Sequence, residues 1–388
     1  MLPLVAAGRR RRSPADAGLM VGGPATFAAG RRQPRVGGPA TLVAGLLAFA
    51  APAGVSAGPA VIPLKVESVR VDWRVSLTDP ERFNRKGNLI VAYSDHARGA
   101  DIIREIAGDG SAVWECQLGP EGSLTRFARA ADGITLVAQL VPGKFSRILR
   151  IGWKGELRGG VRLAPDPVDP DFPRVESLEA SADGGIFAVT RGYAFWATVK
   201  GGLTRDWMHK SLRAASAFPD GSLICALGPP FRFAYLARNR RTLEGIPQGA
   251  FCHIWSADRT EVLSPDRFRL YGCFCFTIRA EGGGKPERRT LDVVETDRSG
   301  AIAWSYGSPY SLRIDEFGSQ RCANYTLQVL KSAQGTTIIV DSYQPECRIV
   351  ELDSGGAPAN ILFTAPAVPD PAEPGVTVCP LIGAQVIE

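Results

Sequence analysis

The sequence predicts an all-β protein made of repeated small sheets, and three observations support this prediction. A layout of short apolar strands and tight turns begins at Gly87–Leu118 and recurs along the chain. Gly (43) and Pro (29) are frequent among the 388 residues, which suits many turns better than long helices. No window holds apolar residues at a 3.6-residue period over several turns, so helix is expected to be minor. The fold class expected is a β-propeller of six blades, each with four antiparallel strands.

The first repeat shows the layout most clearly. Leu89–Tyr93 is an apolar, β-branched run, and Asp101–Ile106 is a second run. Gly108–Gly110 forms a tight reversal, because residues that accept positive φ let antiparallel strands turn back. Ala112–Leu118 follows as a third strand. Such a small meander cannot bury its own faces, so it must pack against neighbouring repeats.

The spacing between repeats predicts the number of blades. Successive turns are separated by 46, 51, 37, 45 and 69 residues when measured between Gly87, Gly133, Gly184, Gly221, Asp266 and Gly335. A unit of about 40 to 50 residues is typical of a four-stranded blade. The fifth repeat is degraded, with a predicted turn near Pro265-Asp266 and a polar loop over Arg279–Thr290. Five or seven blades would follow if this region were misinterpreted.

The strand that precedes the first repeat is predicted to close the ring. Val69, Val71, Trp73, Val75 and Leu77 alternate with polar residues, which indicates a half-buried strand. In a closed ring, such a strand can complete the last sheet and remove exposed edges.

The chain divides into three segments. Residues 1–57 contain seven arginines, one acidic residue and an apolar run over Ala40–Ala53, followed by small residues. This order predicts a secretory signal peptide with a basic leader, whether translation starts at Met1 or Met20. The apolar run is short for a membrane span, although a retained anchor is an alternative. Residues 61–364 would form the propeller and residues 365–388 a proline-rich tail on the surface.

The leader also accounts for the basic balance of the chain. The whole sequence has 45 Lys and Arg against 39 Asp and Glu, but the chain after residue 57 has 38 of each. Binding to nucleic acid needs a basic surface, so nucleic acid is not an expected partner. The expected location is the periplasm or the extracellular space, without stable membrane insertion after signal cleavage.

The strand pattern resembles those of bacterial propeller families. Asp341-Ser342 followed by Cys347–Asp353 resembles an NHL-type blade, whereas Gly110–Trp114 and Gly300–Trp304 resemble closing strands of arylsulfotransferase-like and quinoprotein-type blades. The resemblance implies a propeller fold and leaves the function open. A quinone cofactor is disfavoured because no two cysteines are adjacent, and no cofactor is expected.

A site is expected where the loops after the second strands meet the connections between blades. Asp95, His96 and Arg98 form the most reactive cluster there, since a histidine beside a carboxylate can act as base or nucleophile and an arginine can stabilise an anion. A solvated polar loop is the alternative for this cluster. His209, Asp341 and Tyr343 are the other predicted ligand-facing residues.

Eight cysteines fit an oxidising compartment. We expect a disulfide between Cys322 and Cys347, because both would lie at one end of the last blade. Cys273 and Cys275 have no second pair at ligand spacing, so no metal site is expected.

Two functions from different classes follow. The first is an exported, non-catalytic binding or scaffold module for a protein, a peptide or a glycan. The alternative is an extracytoplasmic transferase or hydrolase of the arylsulfotransferase-like kind, with His96 at the channel mouth. Enzymatic activity is the less favoured of the two, because the sequence contains no convincing catalytic constellation.

Overall fold

The computed structural model describes most of the chain beyond the leader. The described residues are 58–66, 72–164, 173–181, 183–238, 243–246, 251–278, 287–307, 326–332, 334–342, 346–369 and 377–387. The predicted signal segment, residues 1–57, therefore lies outside the described residues.

The described residues form strands throughout. The first half of the chain contains β1 (Val61–Pro63), β2 (Trp73–Leu77), β3 (Leu89–Asp95), β4 (Ala100–Ile106), β5 (Ala112–Leu118), β6 (Ser123–Arg129), β7 (Thr135–Val141), β8 (Phe145–Ile151), β9 (Leu157–Leu163), β10 (Val175–Ala180), β11 (Ile186–Thr190), β12 (Tyr193–Ala197) and β13 (Leu203–Met208). The second half contains β14 (Leu212–Ala217), β15 (Leu223–Leu227), β16 (Arg232–Leu236), β17 (Leu243–Gly245), β18 (Phe251–Ser264), β19 (Arg267–Ile278), β20 (Glu287–Asp297), β21 (Ile302–Tyr306), β22 (Thr326–Lys331), β23 (Thr337–Ser342), β24 (Glu346–Leu352), β25 (Pro358–Pro366), β26 (Val368–Pro369), β27 (Thr377–Val378) and β28 (Leu381–Val386).

These strands make a six-bladed β-propeller, which confirms the predicted fold. Blades 3 to 6 are the sheets β10–β13, β14–β17, β18–β21 and β22–β25, each in sequence order. Blade 2 is β6–β9 with β1 added outside β9, and blade 1 has the order β2-β5-β4-β3-β28. Every pairing is antiparallel, as the sequence predicts.

Asp-Gly turns join the first and second strands of several blades, as expected. Gly133 and Gly184 have φ of 81° and 76°, a region that favours glycine. The preceding aspartate accepts a hydrogen bond from the backbone N–H two residues on, as in Asp132 Oδ1 with Ile134 N at 3.0 Å. The turn chemistry therefore fixes where the inner strand of each blade ends.

Strands β2 and β28 complete blade 1, and this corrects two predictions. Strand β2, which precedes the first repeat, pairs with β5 as the outermost strand of the first blade, not with the last sheet. The C-terminal strand β28 pairs with β3 and supplies the innermost strand, so residues 381–386 of the expected surface tail lie inside the propeller. The burial of β28 alternates weakly along the strand, and four consecutive residues of it line the cavity, whereas β2 sits on an outer edge and alternates cleanly.

A disulfide ties the closing strand to blade 6. Cys347, at the start of β24, is bonded to Cys379, two residues before β28. Cys347 therefore pairs with Cys379 in place of the predicted partner Cys322, which lies outside the described residues. The sequence could not show that the tail folds back between blades 6 and 1, which places Cys379 beside β24.

Blade 5 explains the long interval in the repeat. Its strands β18, β19 and β20 have 14, 12 and 11 residues, about twice the length of their counterparts. The turn predicted at Pro265-Asp266 is confirmed between β18 and β19. Strand β20 begins at Glu287, within the predicted polar loop Arg279–Thr290, and residues 279–286 lie outside the described residues.

The core lies between adjacent blades. One cluster joins β7 and β8 of blade 2 to β11 and β12 of blade 3 through side chains such as Leu136, Ile148, Ile186 and Phe195. Similar clusters join the other neighbours, so each sheet buries both faces only within the ring.

Candidate functional site

A cavity of about 660 Å³ occupies the central channel. Its wall contains residues from the innermost strand of every blade, namely β6, β10, β14, β18, β22 and β28. A cavity of this volume falls within the usual range of ligand pockets.

The cavity opens toward the Asp-Gly turns. Ser216 and Ala217 at the end of β14 line it, together with the turn residues Pro219 and Pro265. The sequence placed the site on the opposite face, where loops vary in length. The length of the loops does not identify this cavity, because the inner strands form its wall.

Hydrogen bonds between neighbouring blades hold the inner strands in a ring. Gln385 on β28 accepts from Arg129 N at 2.8 Å and donates to Arg129 O at 3.0 Å. Further links run around the channel: Arg126 Nε donates to Glu176 O (2.8 Å), Ala217 N to Glu179 Oε2 (3.4 Å), Ser216 Oγ to Thr260 O (2.7 Å), Arg269 Nη1 to Val329 O (3.0 Å) and Ala384 N to Gln328 Oε1 (3.2 Å). These links satisfy backbone groups at the inner edge and make the wall rigid.

Two charge pairs on the wall are neutralised locally. Arg126 lies 3.5 Å from the Glu176 carboxylate. Glu261 accepts a hydrogen bond from the Tyr271 hydroxyl and pairs with Arg269 at 3.3 Å. Neither pair leaves an uncompensated charge for a ligand.

A third pair, Arg129 with Glu105, is buried behind the wall. The side chains are 1% and 0% exposed, and Arg129 Nη1 lies 3.3 Å from Glu105 Oε2. The guanidinium also lies over the rings of Phe83 and Trp114, at 4.8 and 4.6 Å. Burial lowers the pKa of Arg129 to about 10, although Glu105 opposes this shift, so the guanidinium remains charged at neutral pH.

Arg259 and Glu179 remain as the unmatched charges of the cavity. Arg259 forms no ion pair with any of the described residues, and its guanidinium lies 5.6 Å from the centre of the Tyr271 ring. Ala217 N donates a hydrogen bond to Glu179, and the Ser216 hydroxyl lies within hydrogen-bond reach of the same carboxyl. Burial raises the pKa of Glu179 to about 7, although these hydrogen bonds and the positive charge of Arg259 partly oppose it.

A buried hydroxyl without a partner lies beside this pair of charges. Ser177 is 8% exposed, lines the cavity, and its Oγ has no hydrogen-bond partner. Ser177 and Glu179 are two residues apart on β10 and therefore lie on the same face of the strand. A buried polar atom without a partner is costly, which suits a ligand that supplies one.

The residues predicted from the loop at 95–98 do not line this cavity. His96 lies in an exposed turn between β3 and β4. Arg98 pairs with Asp95 at 3.3 Å and with Glu115 at 2.9 Å. These contacts direct the arginine toward carboxylates of its own blade, and the catalytic role of His96 stays a prediction.

His209 and Asp341 do not line this cavity either. His209 stacks on Trp207 with ring centres 5.7 Å apart, and its Nδ1 accepts from Ser211 N at 3.2 Å. Burial lowers the pKa of His209, with help from Arg232 and Lys210. Asp341 is buried in β23, and Tyr343 lies outside the described residues.

The described residues contain no group of three or more His, Cys, Asp or Glu side chains placed to hold a metal ion. They also contain no helix with the length and hydropathy needed to cross a bilayer.

Comparisons with known proteins reveal similarity at the level of fold. No family model matches the sequence, and no curated protein matches it. Similar solved structures include a protein of unknown function from Bacteroides caccae, at 15% identity and a TM-score of 0.46, covering 76% of this chain and 99% of that one. A protein from Lactobacillus plantarum has 12% identity and a TM-score of 0.44, over 78% and 86% of the chains. A chain of the nidogen/laminin complex has 10% identity and a TM-score of 0.41, over 71% and 92%. Function must therefore be argued from the residues of this chain.

Sequence reasoning missed the cavity residues because they lie within strands. Ser177 and Glu179 on β10, and Arg259 and Glu261 on β18, stand at alternate positions, which is also the pattern of a half-buried outer strand. Each of these residues lies shortly before an Asp-Gly or Pro-Asp turn. Because such a turn follows the innermost strand of a blade, this position was the feature of the sequence that could have identified them.

Proposed function

We propose that this propeller is a non-catalytic binding module that takes a segment of a partner polypeptide into the central cavity from the turn side. The observation that carries the proposal is the cavity wall, where Arg259 has no ion pair among the described residues and the Ser177 hydroxyl has no hydrogen-bond partner. Both groups are suited to bind a polar ligand.

The chemistry of the wall favours a peptide over a glycan. Sugar rings commonly stack their C–H faces on aromatic side chains. Phe127 is the single aromatic residue among those that line the cavity, whereas small aliphatic residues such as Ala128, Ala180 and Ala217 are common there. A wall of this kind accommodates a narrow peptide segment more readily than a stacked sugar.

Export is part of this proposal. The leader has the composition of a secretory signal. The bond between Cys347 and Cys379 adds support, because structural disulfides persist mainly in oxidising compartments. N-terminal sequencing of the protein recovered from the producing cell should give a start close to Ala57, and recovery of an intact leader would contradict export by cleavage.

The binding proposal can be tested on arrays of immobilised peptides and glycans. Ala217→Phe and Leu263→Trp each place an aromatic ring at the mouth of the cavity, since Ala217 is partly buried there and Leu263 is 37% exposed. Ala301→Phe adds the same bulk at an exposed turn outside the cavity. Thermal unfolding of each variant verifies that the protein is folded.

We expect wild type and Ala301→Phe to bind a common set of peptides, and both mouth variants to lose them. If glycans bind instead and both mouth variants lose that binding, the cavity is the binding site but the partner is not a polypeptide, and that part of the proposal is overturned. Binding that survives in folded mouth variants would place the site elsewhere and overturn the proposal.

A further inference from the structure

The charges around the cavity point to the chemistry of the ligand. Arg126 is matched by Glu176, Glu261 by Arg269, and the buried Arg129 by Glu105. The positive charge that remains facing the cavity is that of Arg259.

A cavity with one unmatched guanidinium favours an anionic group. The planar guanidinium matches a carboxylate with two parallel hydrogen bonds, and both groups gain from pairing where water is scarce. Arg259 is partly buried, and its guanidinium lies 5.6 Å from the centre of the Tyr271 ring. Because Arg259 has no ion pair among the described residues, its hydrogen-bond donors are available to a carboxylate of the ligand.

We propose that the peptide bound by this propeller presents a carboxylate, and that Arg259 binds this group while the Glu179 carboxyl and the Ser177 hydroxyl donate hydrogen bonds to it. This inference rests on the function proposed above, and it adds the class of ligand group and its position. A free C-terminus and an acidic side chain are two sources of the same chemistry.

The protonation of Glu179 controls this site. A protonated carboxyl donates a hydrogen bond to the ligand carboxylate, whereas an ionised one repels it and competes for Arg259. With a pKa of about 7, Glu179 changes between these states near neutral pH.

The other charged groups near Glu179 do not cancel this effect. On β6 they are Arg126 and Arg129, on β10 Glu176, and on β18 Arg259 and Glu261, whereas β14, β22 and β28 contribute the neutral residues Ser216, Gln328 and Gln385. Each of these charges apart from Arg259 has the partner described above. The affinity for a carboxylate should therefore follow the protonation of Glu179.

Three short peptides, two acids and the neutral peptide that serves as the reference for both, test the inference by calorimetric titration of the full chain. Acetyl-Ala-Ala-Ala-Glu-amide is compared with its Gln counterpart, which isolates an acidic side chain. Acetyl-Ala-Ala-Ala-Gln with a free C-terminus is compared with its amide, which isolates a terminal carboxylate. We expect at least one acid to bind tenfold or more tightly than its neutral partner, and the arm that shows the preference identifies the source.

Variants assign the preference to the cavity. Arg259→Gln should abolish it, while Arg267→Gln should retain it, because Arg267 is on the same blade, is 56% exposed and pairs with Glu295 outside the cavity. Glu179→Gln should retain binding at pH 8, where wild type loses it. Equal effects of Arg259→Gln and Arg267→Gln would overturn the assignment.

The pH dependence of the wild type needs no variant. For a site that binds only when a group of pKa about 7 is protonated, the affinity should fall about tenfold from pH 6 to pH 8. Titrations at pH 7.5 in buffers of different ionisation enthalpy should show proton uptake on binding.

Failure of the inference is distinguishable from failure of the proposed function. The carboxylate inference is wrong if neither acidic peptide binds more tightly than the neutral peptide at concentrations up to millimolar. In that case the binding function still stands, provided that the mouth variants lose the peptides found on the array. If array peptides bind independently of the mouth variants, the proposed function fails as well.

Discussion

Two combinations of glutamate and arginine on different blades have different surroundings. Glu105 and Arg129, where blades 1 and 2 meet, are in contact, almost fully buried and covered by aromatic rings. Glu179 and Arg259, on blades 3 and 5, face the central cavity without an ion pair between them. The same residue types stabilise the ring where they are dry and paired, and are available for a ligand where they are separated by a cavity.

The largest expected effect concerns the buried pair. Glu105→Ala removes the acceptor of Asn84 N, Asn88 Nδ2 and Arg129, and leaves a buried guanidinium without its counter-ion. We expect a loss of about 3 to 5 kcal/mol in the free energy of unfolding, measured by urea denaturation.

The control for that variant is Glu156→Ala, which breaks an exposed pair with Arg158. A change within about 1 kcal/mol is expected for it. If both variants lost a similar free energy of unfolding, the proposed difference between buried and exposed ion pairs would be wrong.

The next largest effect tests whether closure of the ring between blades 6 and 1 depends on the disulfide. Cys347→Ala with Cys379→Ala opens a loop with a sequence separation of 32 residues and frees the strand that closes blade 1. The expected loss in unfolding free energy is about 2 to 4 kcal/mol. A reducing agent should lower the stability of wild type and leave the double variant unchanged.

A buried free thiol provides the matched control for this change. Cys225 is fully buried in blade 4, so Cys225→Ala measures the cost of losing a sulfur without opening a bridge. Reduction should still destabilise this variant. If reduction does not change the stability of the wild type, β28 is held in place by packing and by the hydrogen bonds of Gln385, without a contribution from the disulfide.

A smaller effect concerns Glu179 and its pH dependence. Its pKa is about 7 in the folded protein against 4.5 for the ordinary group, so the folded state retains a proton that the unfolded state has released. Stability should therefore fall as pH rises from about 4.5 to 7, and the full penalty should be present above 7.

Glu179→Gln removes this penalty. Relative to wild type, it should raise the unfolding free energy by about 1 to 3 kcal/mol at pH 8 and change it little at pH 4.5. Glu156→Gln serves as the control. A pH-independent difference for Glu179→Gln would mean that the carboxyl has the same pKa in the folded and unfolded states, which would contradict the raised pKa.

The smallest expected effect is that of His96→Ala. His96 is exposed in the turn between β3 and β4, so its removal should alter stability by less than about 0.5 kcal/mol and leave peptide binding unchanged. The same variant tests the enzymatic alternative: turnover of an aryl sulfate by wild type that is lost in His96→Ala would favour a transferase or hydrolase over a binding module.

The repeat pattern was sufficient for the blades but not for the site. Turns such as those at Gly133 and Gly184 were predictable because a tight reversal restricts the residue types it accepts. His96 attracted attention because its side chain is reactive, yet reactivity in sequence gives no information on which neighbours converge on it. Arg259 and Glu179 were unremarkable in sequence because they are 80 residues apart.

The sequence by itself determined the alternation of strands and turns, the repeat of about 40 to 50 residues and hence a ring of sheets, since these depend on local backbone preferences and on burial of both faces of each sheet. The tertiary structure decided how the ends of the chain close blade 1, that Cys347 meets Cys379, and which charges face the central cavity. These features depend on contacts between residues far apart in the chain, and local sequence does not specify which distant strands become neighbours.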